Sequence, residues 1–564
     1  MSHPLSFLDK ERSIASADFN RWLVPPAALA IHLCIGMAYG FSVFWLPLSR
    51  ALGVTAPIAC APDAGFIDQL FTTQCDWSLA TLGWMYTLFF VFLGCSAALW
   101  GAWLERAGPR KAAFVSALCW CGGLLMSALG VHLHQFWMMA LGSGVIGGVG
   151  LGLGYISPVS TLIKWFPDRR GMATGMAIMG FGGGAMIGAP LATDLMAYFA
   201  GDGDVGVKQT FIAMALLHLA FMLAGAFGYR VPPAGYKPAG WTPSAPSAKD
   251  MVTQGHVHAR RVWGIPQFWL LWMVLCMNVS AGIGVIGMAS PMLQEVFGGA
   301  LIDVQARLSQ LNQAQLLAVA SVAAGFAALL SLFNIVGRFF WASLSDRLGR
   351  KATYNLFFLL GGALYLSVPG SAAAGNLALF VAALCIIVSM YGGAFATVPA
   401  YLADLFGTQM VGAIHGRLLT AWATAGVVGP VVVNYMRQWQ LDLGVAPDQV
   451  YSQTMLILAA MLAVGLACNL LVRPLEAKWF MGDAELAQEK RLANEKAAQV
   501  QVPMQVPTGS PTWAPSGSAA QSAGLLLRES VGGPLLLALA WLAVSLPLVW
   551  GVWRTLRSVG QLFG

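Results

Sequence analysis

Twelve stretches of predominantly apolar residues, each close to the roughly 20 that span a bilayer as a helix, are separated by short polar segments along the chain. The pattern predicts spans at 22–46, 79–103, 112–131, 136–163, 172–198 and 210–229, then at 266–290, 316–343, 353–370, 376–403, 417–437 and 451–472. The first apolar stretch follows a polar segment and has no small-residue cleavage site after it, so it reads as a span and not as a signal peptide. Val231 to Val262 is rich in Pro, Ser, Lys and Arg and breaks the series into two halves of six. The expected organisation is an N-terminal segment (1–21), a first six-helix bundle (22–230), a linker (231–265), a second bundle (266–473), a polar tail (474–531) and one more apolar segment (532–553).

Composition makes the bilayer the solvent. Hydrophobic residues are 58% of the 564, charged residues only 10%, and mean hydropathy is +0.69; a soluble domain carries roughly 25% charged residues. The net charge of +7 matters less than its placement. Fourteen basic residues fall in the connections between spans 2–3, 4–5, 6–7 and 8–9, against four on the other side (Arg50, Lys208, Arg307 and Arg437). The positive-inside rule therefore puts the N-terminus and the linker in the cytoplasm, as in a multi-pass protein of a cell (inner) membrane. Basic residues are not interleaved with exposed aromatics, which argues against nucleic acid as a partner.

One polar corner occurs twice. Gly101, Glu105, Arg106, Gly108 and Arg110 follow span 2, and Asp346, Arg347, Gly349 and Lys351 follow span 8, with the acid, base, glycine and base in the same register. The glycine permits a sharp turn, and the acid suits a helix N-terminus or a basic partner. Two copies at corresponding places favour a charge latch holding one conformation of the two halves over a plain topology signal. This repeat resembles the signature loop of the major facilitator superfamily. The resemblance implies an all-α membrane protein of two six-helix bundles around a central cavity, working by alternating access.

Ionisable residues inside spans are rare here and default to functional candidates. Arg338 lies in span 8 with no acid in its apolar stretch. A guanidinium offers paired donors matched to a carboxylate, and Asn334, four residues earlier, shares its helix face. The competing reading is that Arg338 snorkels to the interface. Tyr39, Tyr155 and Tyr391 are candidate cavity hydroxyls. His32 and His218 sit in apolar stretches, where packing is the commoner role of a histidine and proton relay the rarer one. His132–His134 and His256–His258 lack further ligands, so neither a metal nor a cofactor is expected. The glycine runs 142–154 and 171–188 follow no strand, so they read as close helix packing and not as phosphate loops. Cys60 and Cys75 share the long polar loop after span 1, on the oxidising side, which makes them a disulfide candidate.

Four segments resemble the oxalate/formate antiporter family: LIKWFPDRRG at 162–171, PPAGYKPAGW at 232–241, FNIVGR at 333–338 and HGRLLTAWA at 415–423. That resemblance implies that Arg338 binds a substrate carboxylate. Oxalate-handling members pair this arginine with a span-11 lysine, and Trp422 stands at that position here. One cation beside an aromatic ring suits a monoanion such as lactate or pyruvate. Arg417 could restore a second charge, although its place near the span's end fits an anchor better. Asn334 cannot titrate, so any coupled proton travels elsewhere or on the substrate.

The expected function is thus secondary transport of a small organic anion, by proton symport or anion exchange. An oxalate/formate-type exchanger and a carboxylate-binding sensor are the alternatives. A nucleophile–base pairing is absent from the pattern, so an enzyme is not expected. Asp483–Ala498 reads as a short charged helix and Gln501–Ser522 as disordered. Segment 532–553 is expected to pack on the outside of the bundle. Arg554 and Arg557 after it favour a cytoplasmic C-terminus, whereas twelve preceding spans favour the opposite.

Overall fold

The computed structural model describes residues 6–16, 18–54, 58–61, 66–201, 203–233, 235–242, 251–446, 449–500 and 533–563. Thirteen helices among them are long and apolar enough to cross a membrane. The first bundle contains α1 (Arg21–Leu48), α2 (Leu79–Ala107), α3 (Pro109–His132), α4 (Phe136–Trp165), α5 (Arg170–Phe199) and α6 (Val207–Gly228). The second contains α7 (Pro266–Phe297), α8 (Gln313–Leu348), α9 (Arg350–Ala373), α10 (Leu377–Phe406), α11 (Val411–Asp442) and α12 (Ser452–Leu471). A charged helix, α13 (Asp483–Val500), and an apolar one, α14 (Pro534–Phe563), follow. The segment 501–522 lies outside the described residues.

Several helices outrun their apolar stretches because polar groups cap their ends. Ser78 accepts from the Thr81 amide to start α2, and Asn312 and Gln315 cap α8 reciprocally. Both helices stop at a glycine in the positive-φ region, Gly108 at +87° and Gly349 at +83°, where a side chain would be strained. The predicted start of span 11 at residue 417 is corrected to Val411, because Glu105 caps the Gly412 amide from the other bundle at 2.8 Å.

The bundles meet along two related seams, α2 on α11 and α5 on α8. Glycines allow backbone contact there. A Cβ at Gly101 would sit 2.8 Å from Ala413 Cα, and one at Gly416 would sit 2.1 Å from the Ala97 carbonyl. On the other seam, a Cβ at Gly171 would sit 2.1 Å from the Ala342 carbonyl. Regular geometry breaks in two spans: α1 tightens to 3₁₀ over Gly36–Phe44, and α4 widens to a π segment over Ala140–Gly147.

At the face bearing the basic connections, α13 docks beneath the linker. Arg261 pairs with Glu485 at 2.7 Å, and the Met481 amide donates to the His256 carbonyl at 2.8 Å. At the opposite face, Cys60 and Cys75 form a disulfide with Cα atoms 5.0 Å apart, and His134 stacks on Trp77 at 4.0 Å. Helix α14 lies against α1, α5 and α8. Trp541 near its start donates to the Trp22 carbonyl (3.2 Å), and Arg554 near its end pairs with Asp194 of α5 (3.1 Å). It therefore runs parallel to α1 and α5, with its C-terminus at the face opposite the basic connections. The flanking arginines had pointed the other way; Arg554 is neutralised by Asp194 and covers the Trp550 ring, while Arg557 covers Trp553.

Candidate substrate site and charged latches

The two repeated corners place their acids in matching roles. Glu105 of α2 accepts from the Gly412 amide of α11, from Ser160 at 3.1 Å and from Lys164 at 2.5 Å. Asp346 of α8 accepts from the amides of Gly171 (2.8 Å) and Met172 (2.9 Å) of α5, and from Arg350 at 2.6 Å. Each carboxylate thus sits on the N-terminus of a helix in the opposite bundle, where it meets orphan amides and the positive end of the dipole. A third tie joins Arg170 of α5 to Asp404 of α10 at 2.8 Å, and Asp404 also binds Arg350 at 3.0 Å.

The bases of the repeat do other work. Arg106 reaches Glu489 of α13 (3.9 Å), and Arg110 donates to the Phe7 and Tyr229 carbonyls within its own bundle. Arg347 is exposed and lines a cavity beside α14. Lys10 donates to the Glu105 carbonyl at 3.2 Å; burial, with Lys164 adding to it, holds its amine below the usual lysine value. Arg350, Arg170 and Asp404 complete the closure, and sequence reading singled out none of them.

Arg338 is fully buried at mid-span, which excludes snorkelling in this conformation. Its Nε donates to Asn334 Oδ1 at 2.8 Å and its Nη1 to the Ile178 carbonyl of α5 at 3.3 Å. No ion pair to it occurs among the described residues. The guanidinium faces the rings of Phe181 (5.8 Å) and Phe395 (5.6 Å). Two glycines make room for it: a Cβ at Gly182 would lie 2.9 Å from Nε, and one at Gly392 would lie 2.3 Å from the Asn334 carbonyl.

The expected binding residues gather here from both bundles. Tyr39 and Tyr391 share a hydrogen bond at 3.2 Å. Trp422 packs on Tyr155 (5.1 Å), Phe181 (5.4 Å), Phe395 (4.9 Å) and Tyr39 (6.2 Å). Four donors in this enclosure are buried without a hydrogen-bond partner: Arg338 Nη2, Asn334 Nδ2, Trp422 Nε1 and the Tyr155 hydroxyl. Phe181 and Phe395 escaped sequence reading, because an aromatic inside an apolar span has no contrast with its neighbours; Phe395 lies one turn after Tyr391, the only hint available. Arg417 is elsewhere, beside Arg260 of the linker. A cavity of about 970 Å³ lies between α5, α8 and α14, walled by Met179, Val336, Phe340 and Leu548, and holds none of these donors.

Two bundles joined by glycine seams and by charged latches at one face can part at that face while pivoting elsewhere, which is the construction of a membrane carrier and not of a pore or an enzyme. A profile described as the Major Facilitator Superfamily matches residues 27–430, and the chain belongs to that family. It is 26% identical to the oxalate:formate antiporter of Oxalobacter formigenes over 418 residues, spanning 73% of this chain and 83% of that one. It is 25% identical over 453 residues to apicoplast pyruvate carrier 1 of Toxoplasma gondii, spanning 68% and 78% respectively. Among solved structures, the proton:xylose symporter XylE superposes with a TM-score of 0.54 at 15% identity, over 80% of this chain and 95% of that one; this likeness concerns the fold.

Proposed function

We propose that the protein carries small monocarboxylates of the lactate and pyruvate kind across a cell membrane by alternating access, with its N-terminus, linker and tail in the cytoplasm. The observation that carries this reading is an unneutralised guanidinium with one nitrogen unpartnered, gathered in one enclosure with three further unpartnered buried donors, Asn334 Nδ2, Trp422 Nε1 and the Tyr155 hydroxyl. Buried donors ordinarily find acceptors, and a carboxylate supplies two oxygens together with the missing negative charge. The ring wall of Trp422, Phe181 and Phe395 tolerates a methyl group beside the carboxylate. The two curated relatives named above, an oxalate:formate antiporter and a pyruvate carrier, support the same substrate class. The cytoplasmic orientation rests on the basic residues of the even-to-odd connections.

A second reading, dicarboxylate exchange, draws on the oxalate:formate antiporter relative but has only one cation at the site. The test is thermal stabilisation of the purified protein by lactate, pyruvate, formate and oxalate, with Arg338→Ala as control; a ligand that binds the native state alone raises Tm by mass action. Shifts with monocarboxylates that vanish in the variant are expected. Stabilisation by oxalate alone favours the exchanger, and no shift with any carboxylate overturns both readings.

A further inference from the structure

Two buried imidazoles flank the candidate site from opposite bundles. His32 of α1 is engaged, with Nδ1 at 2.5 Å from the Ala177 carbonyl and Nε2 at 3.2 Å from that of Tyr155. His415 of α11 is different. It is 1% exposed, and neither ring nitrogen meets a hydrogen-bond partner. It precedes Trp422 by seven residues, so both project from one face of α11, with His415 two turns nearer the basic connections. Its ring lies 5.9 Å from Tyr155, which also touches Trp422 and stacks 5.3 Å from His32.

The charged and titratable groups around His415 are accounted for. Glu105 of α2 is committed to Gly412, Ser160 and Lys164, and Asp404 of α10 to Arg170 and Arg350. From α4 comes Tyr155, from α1 His32, and from α8 Arg338 beyond Phe181. An acid positioned to neutralise a His415 imidazolium is absent among the described residues. A buried polar group left without a partner costs its full desolvation, so an apolar ring would serve packing better.

We propose that His415 carries the proton that accompanies each monocarboxylate; this rests on the carboxylate reading above and deepens it. Arg338 alone repels a second cation within the same enclosure. Once a carboxylate neutralises Arg338, a lone pair on His415 binds a proton from water on the open side. After the bundles rock, that proton returns to water on the other side as the carboxylate leaves. No other bond forms or breaks. Because linkage is reciprocal, protonation of His415 must tighten carboxylate binding by the factor with which the carboxylate favours protonation.

The test uses the full chain in liposomes with labelled pyruvate, comparing accumulation driven by an inward proton gradient with exchange at equal pH. One proton per monoanion makes the cycle electroneutral, so one pH unit supports about tenfold accumulation in wild type. His415→Gln is expected to accumulate none, while its exchange stays within about tenfold of wild type, the scale of a coupling free energy. His415→Asn guards against a misfolded first variant, and adding pyruvate to weakly buffered wild type should bind close to one proton per protein. Accumulation by His415→Gln equal to wild type overturns the proposal. So does a wild type that exchanges pyruvate yet neither accumulates it nor binds a proton. Failure of wild type to exchange any carboxylate overturns the substrate reading instead, and is recognisable as such.

Discussion

The latch at α5 lends itself to a quantitative test through Asp346→Asn. Asp346 binds two amides across the bundle interface and Arg350 within its own bundle. The Arg350 bridge survives separation of the bundles, so it drops out of the difference between closed and open states. Two charge-assisted bonds remain, of about 1.5–3 kcal/mol each when buried. The carboxylate keeps 18% exposure, water replaces the lost bonds in the open state, and asparagine retains one acceptor oxygen. These discounts leave about 1.5–2 kcal/mol, or roughly tenfold to thirtyfold in the closed-to-open ratio. Amide hydrogen exchange in lipid nanodiscs reads this directly. Exchange at Gly171 and Met172 should accelerate by that factor. If the bundles part as rigid bodies, exchange at Gly412, held by Glu105 on the other seam, should accelerate with it. Acceleration confined to α5 would mean that Asp346 merely stops its partner helix from fraying, and would refute the two-latch reasoning.

Three further outcomes are expected. Arg338→Leu should abolish carboxylate-induced stabilisation and yet melt no lower than wild type without ligand, since it removes the desolvation cost of a buried charge that has no counter-charge among the described residues; a clear drop in ligand-free Tm contradicts this. Trp422→Lys should add a second cation to the ring cluster and create a thermal shift with oxalate that wild type lacks, while weakening the shift with pyruvate. His256 in the linker is held below the ordinary histidine value of 6.5, first by burial and then by Lys490 and Arg170. It stays neutral in the docked state, so the docking of residues 480–481 on 256–257 is at full strength above that value and weakens as pH falls below it. Hydrogen exchange of that segment should rise at low pH in wild type and lose this pH dependence in His256→Gln.

The bilayer made much of the fold legible. A span must be about 20 apolar residues long, so twelve runs and a polar break between Val231 and Val262 already define two halves. The latch acids were legible because the corner occurs twice, and the register singles out Glu105 and Asp346. Their bonding was not, since Gly171 and Gly412 are ordinary glycines until the other bundle arrives. The same holds for Arg170, Arg350 and Asp404, which come from three helices and share no local pattern. Arg338 stood out as a charge in an apolar run, whereas Phe181 and Phe395 had nothing to set them apart. For α14 the flanking arginines misled because Asp194 and two tryptophans satisfy them at the far face.

How α14 behaves during transport follows from where its specific bonds fall. Trp541 bonds to Trp22 and Arg554 to Asp194, Val544 is buried with Leu29 and Ala30, and a Cβ at Gly551 would touch Ile187 at 3.0 Å. All those partners are in the first bundle. Toward α8 of the second bundle α14 makes its most extensive contact, and there Leu548 and Val552 line, with Val336 and Phe340, the apolar wall of the cavity of about 970 Å³. Apolar contact is non-directional, so a helix face slides over it at less cost than it leaves a hydrogen bond or an ion pair. The directional bonds seen, Trp541 to Trp22 and Arg554 to Asp194, therefore tie α14 to α1 and α5, and α8 is expected to move past it. A disulfide between Gly551→Cys and Ile187→Cys should leave transport close to that of the reduced protein, because it joins parts that move together. A cross-link between Val552→Cys and Val336→Cys should arrest transport until it is reduced, because it ties a first-bundle rider to the second bundle across the opening seam. Equal transport with either cross-link would mean that α8 does not slide on α14, and the motion would then have to be sought at the α2–α11 seam alone.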